Sequence, residues 1–151
     1  MQISLAQALK EKKRLVGEIA HLWDLVKSEN SSLETHTRKI DVKETLQTLE
    51  HYTAKLVELK TKISFANRGD HLRNMQLLAQ TKRMLEKLAA VSGSEDLEYD
   101  RNDKLLERTA VFNEEQLTLM KQKLRREAEA LQDKLDAYNA RTRIEFETPL
   151  P

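Results

Sequence analysis

The residues Glu18-Ile19-Ala20-His21 carry the one spacing in this chain that metal chemistry uses. A glutamate and a histidine three positions apart project side by side from a helix, and di-iron bundles assemble two such pairs with two further inward glutamates. None of the other histidines, His36, His51 and His71, has a carboxylate three residues before it. A metal-binding bundle around Glu18 and His21 therefore stays an alternative that lacks its remaining ligands, which would have to converge from several helices. An exposed or interface histidine accounts for the same residues.

Nucleophilic chemistry finds no footing. There is no G-x-S-x-G elbow, and with three glycines in 151 residues no phosphate-cradling loop. The absence of cysteine removes disulfides, thiolate metal sites and cysteine nucleophiles. Carboxylates are abundant, but they alternate with basic residues, as Glu127 does with Lys123 and Arg126, which is the pattern of solvated helix faces. Arg68-Gly69-Asp70 and Asn30-Ser31-Ser32 spell a cell-adhesion tripeptide and a glycosylation acceptor, yet both fall where helix ends and loops are expected. The expectation is a protein that is not an enzyme, with no cofactor, no metal and no small-molecule ligand that the residues identify.

Two basic clusters, Lys10 to Arg14 and Lys121 to Arg126, raise nucleic-acid binding as a second alternative. Readers of nucleic acid combine basic character with exposed aromatics or a recognition motif, whereas aromatics are 5% of this chain. The 26 basic and 25 acidic residues nearly cancel, which also argues against a protein built to neutralise phosphates or coat an acidic membrane.

The elements that would position any of these residues are helices. A composition 34% charged and 39% hydrophobic is that of amphipathic helices, each burying one stripe. The opening MQISLAQALKEKKR places its charges after a short apolar stretch, the reverse of a secretion signal, and no apolar run approaches the roughly 20 residues of a membrane span. A cytoplasmic protein without a membrane partner is expected.

The first helix starts at Ser4, an N-cap with Gln7 as its capping-box partner, and runs to about Glu29. Leu5, Ala8, Lys12, Leu15, Ile19, Leu22 and Val26 form a heptad-like seam, and a second row, Leu9, Val16 and Trp23, widens the apolar face beyond one neighbour. Residues 30–40 read as a loop. Asp41 with Glu44 caps a second helix carrying Val42, Leu46, Leu49, Thr53, Leu56, Leu59 and Ile63, which stops at Asn67-Arg68-Gly69. A third helix, from Asp70 to Ser92-Gly93, is lined by Leu72, Met75, Leu78, Leu85, Leu88 and Val91. After an acidic, turn-like stretch over 94–103 and a strand-like run over 106–112, Asn113 with Gln116 caps a fourth helix striped by Leu117, Met120, Leu124, Ala128, Leu131, Leu135 and Tyr138.

Three stretches resemble the DIP1984 family of bacterial helical proteins, some members of which are called septicolysin. LAQALKEKKRL, from Leu5, resembles its leading L-x-E-A-L-x-x-R-x-x-L helix. Lys62 to Asn67 resembles its I-N-x-x-N stretch, with Ser64 at the first asparagine, and Leu135 to Thr142 resembles its closing I-Q-x-x-N-W-x-T stretch, with Ala140 at the tryptophan. The resemblance implies a mostly helical, oligomeric bacterial protein of uncharacterised function. The septicolysin name would imply a pore former, for which the sequence offers no secretion signal, glycine-rich insertion loop or hairpin with a lipid-facing band.

The expected fold is all-α: an elongated antiparallel bundle or coiled coil of four long helices, one domain over 1–151, with strand-like segments near 106–112 and 142–147. The expected function is structural, a homo-oligomeric helical assembly whose interface includes Leu9, Val16, Trp23, Ile144 and Phe146. The last two lie in a C-terminal arm, 142–151. Its alternating run Arg141 to Glu147 has its best partner in Glu107 to Phe112, but a helix of about 40 Å separates the two while six residues reach about 20 Å. Pairing of Arg143 to Phe146 with another copy of the chain is expected instead.

Overall fold

The structure, a computed structural model, describes residues 1–151. It is mostly helical with a few short antiparallel strands, in the order β1 (Gln2–Ser4), α1 (Leu5–Glu29), α2 (Val42–Ala66), α3 (Asp70–Ala89), β2 (Leu97–Tyr99), β3 (Leu105–Glu107), α4 (Glu114–Arg141) and β4 (Arg143–Glu145). No helix is long and apolar enough to cross a membrane. The chain divides into two compact units, one of Met1–Arg68 with Asp136–Pro151, the other of Gly69–Leu135.

The first unit is built on α1 and α2. The Ser4 hydroxyl accepts from the Gln7 N–H at 3.1 Å while the Gln7 side chain accepts from the Ser4 N–H at 2.8 Å, a complete capping box that fixes where α1 begins. The Asp41 carboxylate does half of this for α2, accepting from the Glu44 N–H at 3.2 Å. Leu5, Ala8 and Leu15 from the start of α1 are buried with Leu59 and Ile63 from the end of α2, so the two helices run antiparallel. The loop between them is clasped to the end of α1. Glu29 is buried, His36 Nε2 lies 2.8 Å from its carboxylate, and Arg38 Nε donates to its carbonyl at 2.9 Å. The His36 contact holds the Glu29 carboxyl below the usual carboxylate range, against the opposing effect of burial, with the Lys39 backbone adding to the lowering.

The C-terminal strand exists, but its partner corrects the sequence expectation. β4 pairs antiparallel with β1 of the same chain, Ile3 opposite Ile144. The bonds Leu5 N–H to the Thr142 carbonyl and Phe146 N–H to the Met1 carbonyl extend the pairing at both ends. Phe146 is 2% exposed and sits in the core with Leu5, Leu59 and Ile63, and Ile144 packs against the same cluster. Phe146 is thus buried inside its own chain, and Ile144 is partly covered there. The physical reason is that the N-terminal strand is three residues long, too short to show periodicity, so the sequence displays no partner for the C-terminal run at that end of the chain.

Tyr138, near the end of α4, completes this unit by donating its hydroxyl to the Ala66 carbonyl at 2.6 Å. It thereby satisfies one of the carbonyls that the end of α2 leaves open. Gly69 follows with φ +70° and ψ −140°, a combination open to glycine and strained for any other residue, which lets the chain turn into α3.

The second unit comprises α3, the β2–β3 hairpin and α4 as far as Leu135. Asn113 and Gln116 exchange two hydrogen bonds of 2.9 Å, the capping box expected for α4. The hairpin differs from expectation. Its second strand is confined to Leu105–Glu107 within the stretch 106–112 and its flank, and its first strand lies in the 94–103 stretch read as turn. Asp100 makes the turn, its carboxylate accepting from the N–H groups of Asn102 and Lys104.

Candidate assembly surface

The residues set apart by their chemistry are scattered. His21 is exposed on α1, and no group of three or more His, Asp or Glu side chains is placed to hold an ion. Lys10, Lys13 and Arg14 are exposed, but Arg14 pairs with Glu11 at 2.8 Å, and Glu11 also meets the Thr148 hydroxyl of the C-terminal segment. Arg68 of the adhesion-like tripeptide stacks 3.9 Å over Phe65, a cation–π contact at the end of α2. Asn30 ends α1, its N–H bonded to the Val26 carbonyl.

What the molecule does display is apolar surface. On α1 the expected second row divides: Leu9 packs against the chain's own core, while Val16 and Trp23 remain 47% and 44% exposed. A longer row lies in the second unit. Leu77 and Met84 on α3 and Val91 just past its end recur every seven residues, the spacing of one coiled-coil seam position, and are 45%, 54% and 48% exposed.

This row runs into a groove. The backbones of α3 and α4 stay apart where those of α1 and α2 pack closely, and the space between them is an open groove of about 640 Å³. Met84, Leu88, Val91, Met120 and Leu124 form its floor. Arg83, Lys87 and Lys123 rim it, with Glu127 the one acidic side chain. Lys123, the centre of the second basic cluster, thus borders an apolar groove rather than standing in a basic track.

The hairpin is the second apolar feature. Directly opposed residues share a face of a two-stranded ribbon, so Leu97, Tyr99, Leu105 and Glu107 lie on one side, and Glu98 with Leu106 on the other. Leu97 is 62% exposed, Tyr99 72% and Leu105 50%. Arg108 reaches the Glu98 carboxylate with both Nε and a terminal nitrogen, holding that carboxyl below its usual range. The apolar face of this hairpin is carried on strands of three residues, against the roughly 9 to 11 of a membrane-spanning strand.

The chain matches no family model, no curated protein and no solved structure. Its surface has to be interpreted by its own physics. Contiguous exposed apolar side chains rimmed by charge mark interaction sites more often than they occur by chance on a soluble surface. The seven-residue recurrence of Leu77, Met84 and Val91 is visible in the sequence, whereas the stripe Leu72, Met75, Leu78, Leu85, Leu88 and Val91 shares only Val91 with it. Of those, Leu78 is buried while Leu72 and Met75 stay exposed at 45% and 38%.

Proposed function

We propose that this chain is a structural, self-associating helical protein whose action resides in its assembly surface and not in a catalytic centre. The observation that carries the proposal is the apolar groove between α3 and α4, continued by the exposed Leu77, Met84 and Val91 row. Two helices with their apolar stripes left half open lack the packing partner that amphipathic helices need. A second copy supplies apolar surface of the same kind, and closing the groove gives these stripes the packing partner they lack. The Val16 and Trp23 pair on α1 offers a further patch of the same kind. The resemblance to the DIP1984 family, which implies an oligomeric helical protein, points the same way.

Sedimentation equilibrium of the intact protein at micromolar concentration tests this. A mass that is a multiple of 17.6 kDa is expected. A single 17.6 kDa species at every concentration overturns the proposal.

A further inference from the structure

We propose that the groove between α3 and α4 of one copy receives the β2–β3 hairpin of a second copy, which lays its Leu97, Tyr99 and Leu105 face on the apolar floor. This deepens the self-association reading and rests on it.

Two surfaces in the second unit are incomplete in complementary ways. A lone two-stranded ribbon is marginal in water and gains stability when one face is covered. Here the apolar face is uncovered, since its three large side chains are all at least half exposed. The groove is a concave apolar surface without an occupant from its own chain, and the hairpin of that chain does not enter it.

Charge selects the match. Between Glu95 and Arg108 the chain carries six acidic residues, Glu95, Asp96, Glu98, Asp100, Asp103 and Glu107, against three basic ones. The groove rim carries Arg83, Lys87 and Lys123 against Glu127. Glu107 is on the apolar face itself, opposite Leu97, so seating that face delivers a carboxylate to the basic rim. Opposite charge around an apolar centre gives docking both orientation and speed, and like charge there is strongly unfavourable.

The test is a pair of charge reversals in the full chain. One variant carries Lys87→Glu and Lys123→Glu in the groove rim; the other carries Glu95→Lys and Glu107→Lys in the hairpin. All four positions are exposed, and Glu98 and Asp100 are left intact because they hold the hairpin together. Circular dichroism checks that each variant keeps wild-type helicity.

Each variant alone is expected to self-associate about 100-fold more weakly than wild type, and an equimolar mixture of the two to recover association, since acidic groove now meets basic hairpin. Wild type that assembles while either variant assembles equally well overturns the hairpin-in-groove arrangement and leaves self-association standing. So does a mixture that fails to recover. Wild type that stays monomeric overturns both. A groove-reversed variant that dissociates beside an unaffected hairpin variant shows that a different segment of the second copy fills the groove, which also overturns the arrangement.

Discussion

The Gly93 N–H donates to the Glu114 carboxylate at 2.7 Å, so the chain departs from α3 and enters α4 at a single point and residues 94–112 form an arm closed at its base. The approach is close enough to exclude a side chain: a Cβ at Gly93 would lie 2.5 Å from the Glu114 nitrogen and 2.6 Å from the Asn113 carbonyl carbon. Those are backbone atoms and cannot step aside cheaply.

Gly93→Ala is therefore expected to destabilise the second unit by about 1 to 3 kcal/mol, the range for overpacking. Thermal unfolding followed by circular dichroism checks it, and an unchanged midpoint would show that the base of the arm is looser than this contact implies.

Phe146 belongs to the core formed by α1 and α2, and not to an arm that reaches another copy. Phe146→Ala should cost about 3 to 5 kcal/mol of folding stability. Urea unfolding at a concentration below that of assembly separates this from an interface effect. A variant as stable as wild type that merely fails to assemble would restore the C-terminal segment as an assembly strand.

Glu29 gives the clasp at the end of α1 a pH dependence of definite sign. Its folded-state value lies below the ordinary 4.5, chiefly through the His36 contact. The stabilisation is accordingly complete above about 4.5 and is lost as pH falls through the lowered folded value. Glu58 and Glu98 are lowered as well and titrate in the same region. The measurement is thus the difference between wild type and Glu29→Gln in urea unfolding across the acid range. That difference should shrink steadily with acidification, and a difference independent of pH would contradict the assignment.

Tyr138→Phe removes the hydroxyl that bonds the Ala66 carbonyl at 2.6 Å and keeps the ring. A loss of about 0.5 to 1.5 kcal/mol is expected, the net worth of one partly buried hydrogen bond. Stability equal to wild type would show that water replaces the hydroxyl without cost.

The helices were legible because their signals are local. Ser4 with Gln7 and Asn113 with Gln116 announce helix starts through side chains that bond three residues away, and both boxes form. The β1–β4 pairing was not legible, because Gln2–Ser4 offers three residues and joins a strand at the opposite end of the chain. The residues expected at an interface divide on the same ground. Val16 and Trp23 are exposed as a helical period predicts, whereas the fate of Ile144 and Phe146 depended on a tertiary contact no period reveals. The groove lay further from reach. Its existence depends on how far α3 stands from α4, which the heptad pattern of either helix leaves open.

The central claim is that exposed apolar side chains on α3 and just past its end hold copies of this chain together. Sedimentation velocity of wild type beside Met84→Glu with Val91→Glu tests it most directly, since both residues are half exposed in the single chain and neither belongs to its buried core. Wild type is expected to sediment as an oligomer, and the variant as a 17.6 kDa monomer with unchanged helicity. A variant that sediments identically to wild type would contradict the claim.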